Sequence, residues 1–403
     1  MRIGLFTVTV VSLLILFAIL NGFWISRLIN PALRNKFRLT YGVLTLLGAS
    51  AYLSVRVIGQ NDGLFLFNFL YYFGPFWTVL QLLLLLSWPF SKIAAILQQR
   101  WNVAQDEAIA APADNHAARI SVSRRVFLSH AAMLPPVVMT GVNAVGVLGA
   151  EFRTVLRRVD LAYDNLPRNL DGLKIGHLTD AHIGPYVSAR DVEKMANLLK
   201  QDSPDLLAIT GDFADDLSLL PDALDKMKPL LASLPLGAWF CMGNHEYLRG
   251  AESIRKVLQK YGIHILDNRH QRLPFGGAHF SIAGVDYPMG ASLATRPATV
   301  SNYLESACGN IAQTDFTVLL AHHPDFVPAA FERHIGLTLS GHTHGGQVGW
   351  GQRSAFQIIY PYMRGVYQAN QSFGFVSSGA GHWIPFRLNC PPEVCVLTLK
   401  RKA

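Results

Sequence analysis

Two histidines one residue apart, His342 and His344, stand in the stretch Ser340-Gly341-His342-Thr343-His344-Gly345-Gly346-Gln347. Alone, a His-x-His pair fits a structural turn as well as a metal site. Five further ligand-type side chains precede it: Asp180, His182, Asp212, Asn244 and His322. Carboxylate, amide oxygen and imidazole together suit first-row divalent metals such as Mn, Fe or Zn. The set exceeds one ion's need, and a carboxylate can bridge two ions. Two ions about 3.5–4 Å apart can clamp both the attacking and the leaving oxygens of a phosphoryl displacement, with a hydroxide held between them as nucleophile. His245, beside Asn244 but outside the set, would donate a proton to the leaving oxygen or stabilise the phosphate.

These residues share a placement. Apolar runs at 173–179, 205–210, 237–242, 317–321 and 335–339 end respectively at Asp180, Gly211-Asp212, Gly243-Asn244-His245-Glu246, His322 and Gly341-His342, and a run at 280–285 ends near Asp286. A strand over 155–161 opens the region. Helical patterns intervene at 188–201, with Ser188 as cap and Val192, Met195, Leu198 and Leu199 on one face, then at 221–234 and 251–261. Continuous apolar strands alternating with amphipathic helices indicate an α/β domain whose strands are buried on both faces. Loops past the carboxyl ends of such strands line the ligand crevice.

The first third is different in kind. The chain of 403 residues is 50% hydrophobic and only 15% charged, which points to membrane segments plus at least one other domain. Apolar runs at about 3–25, 39–55, 64–90 and 126–150 are candidates to cross a bilayer. Trp77 and Trp88 read as interfacial anchors, and Pro135-Pro136 is tolerated in a membrane helix. Arg27, Arg34, Lys36 and Arg38 lie between the first two runs, and Lys92, Arg100, Arg119, Arg124 and Arg125 between the last two. Little beyond Arg56 and Asp62 separates the second from the third. The positive-inside tendency then puts the C-terminal domain outside the cytoplasm. Ser123-Arg124-Arg125-Val126-Phe127-Leu128 resembles an internal twin-arginine export signal or is an ordinary basic flank, and either agrees with that side. Residues 101–122 read as a polar cytoplasmic linker. The expected organisation is a membrane region over 1–150 with about four transmembrane helices, followed by an α/β domain over 151–403.

Much of the net charge of +8 sits in those short loops, with no basic stripe interleaved with aromatics, so nucleic acid is not an expected partner. Four cysteines are too few for a disulfide scaffold. Cys390 and Cys395 either pair in an oxidising compartment or are separate buried thiols, while Cys241 and Cys308 read as packing residues.

The blocks Asp180-x-His182, Gly211-Asp212-x-x-Asp215, Gly243-Asn244-His245-Glu246, His322 and Gly341-His342-x-His344 resemble, in order, those of calcineurin-like metallophosphoesterases. The resemblance covers about residues 155–400. Gly345-Gly346-Gln347 and the late Arg387-Leu388-Asn389-Cys390-Pro391-Pro392-Glu393 look like the family's membrane-anchored branch. It implies a two-sheet α/β sandwich with helices outside. It also implies one metal on Asp180, His182, Asp212 and His344, and a second on Asp212, Asn244, His322 and His342, with Asp212 bridging. His245 would be the catalytic acid and Asp215 would orient a neighbour. The expected protein is a multi-pass inner- or plasma-membrane hydrolase of a phosphomonoester or phosphodiester, with a lipid-linked or envelope-derived ester preferred. His382 is weighed both as a residue near substrate phosphate and as part of a turn. His323 should turn away from the metals, His177 should be a core residue, and His264, His270 and His334 surface or packing residues. A membrane sensor or scaffold with a structural or inactive metal site is the alternative. A transporter is disfavoured because the apolar runs carry almost no ionisable residue.

Overall fold

A computed structural model describes residues 5–58, 65–109, 115–151 and 154–402. The chain divides into two compact units, Met1–Leu148 and Gly149–Ala403.

The first unit is built of α1 (Leu5–Leu28), α2 (Arg34–Ile58), α3 (Phe65–Ile109) and α4, which begins at Asn115 and runs to Glu151. Among the described residues, three stretches are long and apolar enough to cross a membrane: Thr7–Leu28, Phe69–Leu97 and Ala131–Ala150. The second apolar run is helical too, in α2, which starts on Arg34, Lys36 and Arg38 and is not one of these three stretches. The expected polar linker is mostly helix. α3 continues to Ile109 and α4 starts at Asn115, because the Ala, Gln, Glu and Arg of this stretch are strong helix formers. Residues 110–114 and Asp62 lie outside the described residues, as do the side chains of Arg56 and of the Arg124-Arg125 pair. Between helices, the Asn21 amide donates to the Gln81 carbonyl at 2.8 Å and the Tyr41 hydroxyl donates to Gln81 Oε1 at 2.6 Å. Such links hold apolar helices together where burial in lipid adds no hydrophobic drive.

The second unit runs β1 (Val155–Tyr163), β2 (Lys174–Leu178), α5 (Ala189–Lys200), β3 (Leu206–Thr210), α6 (Leu220–Leu231), β4 (Ala238–Cys241), α7 (Asn244–Arg249), α8 (Ala251–Lys260) and β5 (Ile263–Ile265). It continues through β6 (Arg269–Phe275), β7 (Ala278–Gly284), α9 (Arg296–Cys308), β8 (Thr317–Leu320), α10 (Phe326–Glu332) and β9 (Leu337–Ser340). A short hairpin follows, β10 (Gly349–Trp350) with β11 (Arg353–Ser354), then β12 (Gly365–Ala369), β13 (Ser372–Val376) and β14 (Glu393–Arg401).

The strands form two six-stranded sheets, ordered β1-β14-β2-β3-β4-β5 and β12-β13-β9-β8-β7-β6. β2 to β5 are mutually parallel, as are β7, β8, β9 and β13. Side-chain alternation distributes the core. Ile175, Leu206 and Ala208 face Phe280, Val318, Leu339 and Phe375 between the sheets, while Leu207 and Ile209 pack outward under α5, α6 and α8. The outer face of the second sheet is covered by α9 and α10 through Val300, Leu304 and Phe326. Both sheets are therefore buried on both sides, and the two-sheet sandwich with outer helices is the observed fold. Local chemistry agrees: Ser188 caps α5 by accepting from Asp191 N at 3.3 Å while Asp191 accepts from Ser188 N at 3.0 Å.

Candidate metal centre

The carboxyl ends of β2, β3, β4, β8 and β9 bring their loops to one place. Asp180, His182 and His344 each offer one ligand atom to a first group, and Asp212, His322 and His342 do so in a second, with the offered atoms of each group within 4.8 Å of one another. In the first, His182 Nε2 and His344 Nε2 are 3.0 Å apart and His344 Nε2 is 3.4 Å from Asp180 Oδ1. In the second, His322 Nε2 is 3.2 Å from Asp212 Oδ2, and His342 Nδ1 is 3.2 Å from His322 Nε2 and 3.1 Å from Asn244 Oδ1. Asp212 Oδ2 stands between the groups, 3.9 Å from His182 Nε2. Its other oxygen is occupied: Oδ1 accepts from the backbone N–H of His245 at 2.8 Å.

The backbone delivering these side chains is strained. Asp180, His182, Asp212, His342 and His344 all adopt positive φ, between 48° and 69°. This left-handed region costs a non-glycine residue about 1–3 kcal/mol, and such positions cluster at functional sites. Gly341 is required for space: a Cβ there would collide with the Asp180 carboxylate and the Thr179 hydroxyl. That glycine therefore makes room for the Asp180 carboxylate.

Orientation of the imidazoles is fixed from behind. His322 Nδ1 donates to the Thr210 carbonyl at 2.7 Å, which turns Nε2 toward the group. His182 Nδ1 lies 3.3 Å from Asp215 Oδ2, and the other Asp215 oxygen accepts from His245 Nδ1 at 2.5 Å. His182, Asp215 and His245 form a third cluster close enough for an ion. However, Asp215 faces the Nδ1 atoms of both histidines, whose Nε2 atoms turn toward the other two groups. His245 is the accessible member, its side chain 18% exposed, with Nε2 3.9 Å from Asp212 Oδ2.

Electrostatics show what the site lacks. Asp180 and Asp212 are buried, and among the described residues only histidines lie within ion-pair distance of either. Burial raises the Asp180 carboxyl above its ordinary range. Burial would do the same to Asp212, but His322, His245 and His182 outweigh it and hold that carboxyl well down. Burial opposes charge on His322 as well, yet Asp212 and Asp180 raise it to about 10. A proton on His322 is thus the protein's own neutralisation of Asp212, and a divalent cation would take that proton's place. Burial keeps two of the other imidazoles neutral: His342 is lowered to about 3, and His344, with Arg387 adding to the effect, well below the usual range. Burial opposes charge on His182 too, but Asp215, Asp212 and Asp180 outweigh it and raise that imidazole. Neutral imidazole is the ligating form. The donor set fits divalent ions.

Several further residues hold these side chains and loops in place. Glu246 is buried and accepts from the backbone N–H groups of Asp212, Phe213 and Gly243 at 2.7–2.8 Å, clamping two ligand loops together. Arg387 is buried; it donates to the carbonyls of Ser378 and Gly381 at 2.6 Å and to His344 Nδ1 at 3.0 Å. Thr179 donates to Asp180 Oδ2 at 2.8 Å.

Among the remaining histidines, His177 is buried with Nε2 2.8 Å from Thr210 Oγ1. His264 stacks on Trp239, His270 Nδ1 donates to the Ala307 carbonyl and His334 is exposed. His323 lies outside the candidate ligand groups: its ring is 4.4 Å from that of His342, but its nitrogens lie against Arg296 and Asp325. His382 is buried beside Tyr186, and neither ring nitrogen has a hydrogen-bond partner among the described residues. Cys390 and Cys395 are free thiols, both buried, rather than a disulfide.

A two-sheet sandwich presenting a buried Asp/His/Asn cluster at its strand ends defines a metal-site class of α/β protein. The calcineurin-like phosphoesterase profile matches residues 173–346. The chain is 31% identical to an uncharacterized metallophosphoesterase of Aquifex aeolicus over 245 residues, covering 59% of this chain and 89% of that one. It is 30% identical to the Bos taurus transmembrane protein with metallophosphoesterase domain over 285 residues, covering 66% of this chain and 62% of the relative's length. Haemophilus influenzae NAD nucleotidase is a similar solved structure, with a TM-score of 0.32 and 16% identity over 53% of this chain and 45% of that one. The chain belongs to the calcineurin-like phosphoesterase family.

Proposed function

We propose that the protein is a membrane-anchored, dinuclear metal-dependent hydrolase of phosphomonoesters or phosphodiesters. The observation that carries this reading is the position of Asp212 Oδ2 between two ligand groups, 3.2 Å from His322 Nε2 and 3.9 Å from His182 Nε2. Asp180, His182, Asp212 and His344 would hold one ion, and Asp212, Asn244, His322 and His342 the other. Bound there, the pair supplies the Lewis acidity that activates a nucleophile and neutralises charge developing on the phosphoryl group. His245 reaches substrate from the exposed edge of the site and delivers a proton to the leaving oxygen. Asp215 holds its Nδ1, so the catalytic nitrogen is Nε2. His382 would approach substrate phosphate from the neighbouring loop, whose Gly381 N donates to the Asp180 carbonyl at 2.9 Å.

Domain division, topology and side belong to the same proposal. The membrane region spans 1–150 and crosses several times, the catalytic domain spans 151–403, and the basic residues between the apolar stretches favour an extracytoplasmic catalytic domain. A lipid-linked or envelope-derived ester is the preferred substrate. The test is the full chain in detergent, loaded with Mn, Fe or Zn and assayed on p-nitrophenyl phosphate and its diester. Metal-dependent turnover lost in Asp212→Asn is the expected result. Two bound ions without turnover would mean a sensor or scaffold instead.

A further inference from the structure

Two loops beside the His322/His342 side of the centre expose large apolar side chains. One follows β7 and carries Met289 and Leu293, the latter 89% exposed. The other holds the β10–β11 hairpin and its continuation, with Trp350 84% exposed, Ile358 97% exposed, and Phe356 and Ile359 also at the surface. Both are built onto the site. Tyr287, in the first, places its ring 5.7 Å from that of His342. In the second, Thr343, between the two ligand histidines, donates through Oγ1 to the Met363 carbonyl at 2.6 Å. A hydrogen bond and an ion pair on Asp325 join them: Tyr360 OH donates to Asp325, whose carboxylate lies 3.3 Å from Arg296 at the end of the first loop.

Scattered exposed apolar residues need no explanation, but several on adjoining loops mark an interaction surface. Its charge selects the partner. No Asp or Glu occurs from Tyr287 to Leu304 or from Arg333 to Pro392, whereas Arg296 and Arg353 lie on these loops. Trp350 pairs across the hairpin with the exposed Arg353. Tryptophan and arginine side by side, with isoleucines beyond and the nearby Asp325 carboxylate paired with Arg296, is the chemistry of a bilayer interface. The chain's own apolar helices put a bilayer within reach. We infer that these loops seat on the surface of that bilayer and that the phosphate reaching the metal centre is carried by a lipid headgroup. The second half of this inference rests on the phosphoesterase reading above; the seating does not.

The test uses the full chain in nanodiscs of phosphatidylcholine and phosphatidylglycerol. An environment-sensitive fluorophore is attached at Ile358→Cys in a Cys308→Ser background, the other thiols being buried. Brominated lipid should quench this label and leave a control label at Gln259→Cys on α8 unquenched. A label that stays aqueous overturns the seating. So does one that is shielded yet unquenched, because protein, whether the chain's own helices or a second copy, would then cover the loops. For the substrate half, Trp350→Ser/Ile358→Ser/Ile359→Ser should raise the KM for phosphatidic acid in vesicles at least about tenfold. Turnover of p-nitrophenyl phosphate should not change. Equal effects on both esters overturn the lipid assignment. Quenching without turnover on any ester, in protein holding both ions, would keep the seating and remove the phosphoesterase reading.

Discussion

The two ligand groups of the centre are held by different means. Around Asp180, His182 and His344 the supports are charged: Asp215 faces His182 Nδ1, and Arg387 donates to His344 Nδ1. Around His322 the support is neutral, the Thr210 carbonyl on Nδ1. Charged supports alter the basicity of a ligand as well as its direction, whereas a carbonyl mainly sets direction. The two sites should therefore differ in how easily a distant change empties them.

The largest expected effect tests whether they are separable at all. Asp212→Asn removes the one carboxylate facing both groups, so elemental analysis should find both ions lost and turnover at background. Retention of one full equivalent would mean that the groups are independent. Next in size is His245→Gln, which should keep both ions and lower kcat by about 10²–10⁴-fold. A loss of metal in that variant would make His245 a ligand. Smaller again is Asp215→Asn. Here one ion should bind about 10–100-fold more weakly while the other is unchanged, giving a two-phase chelator titration where the parent protein is closer to one phase. A uniform weakening of both would erase the distinction between the groups.

Much of the centre was readable in the chain because its blocks are local. Gly211-Asp212, Gly243-Asn244-His245-Glu246 and Gly341-His342-x-His344 each follow an apolar run, and the structure brings all of them to the strand ends. The sheet orders were not readable, since β14 inserts between β1 and β2 from the far end of the chain. Nor were the clamps. Glu246 acts on backbone of residues 212–213 and Arg387 on a histidine 43 positions away, so neither function has a spacing signature. Positive φ at these five positions is likewise a product of tertiary packing, because Asp and His, though enriched there among non-glycine residues, adopt it only uncommonly. In the first unit the apolar runs were plain, yet the stretch after Trp101 looked like linker because polarity masked its helix-forming composition.

The smallest effect concerns two histidines on one residue. Thr210 accepts from the ligand His322 through its carbonyl and meets His177 through its hydroxyl. His177 is a core residue, and burial lowers it from 6.5 to about 3. In the unfolded chain it takes a proton near 6.5, and in the folded chain only near 3, so the unfolded state binds more protons throughout that window. Stability attributable to His177 is complete above pH 6.5 and falls as the pH drops from there toward 3. Each pH unit within the window costs about 1.4 kcal/mol, or a few degrees of melting temperature for a domain of this size. His177→Gln keeps a polar partner for Thr210 without the titration, so its melting temperature should fall less steeply with acid. Metal loss in acid affects both proteins alike, and the difference between their slopes isolates His177. Parallel slopes would mean that His177 reaches water and a proton in the folded state, and the core side of Thr210 would then be as open as the ligand side.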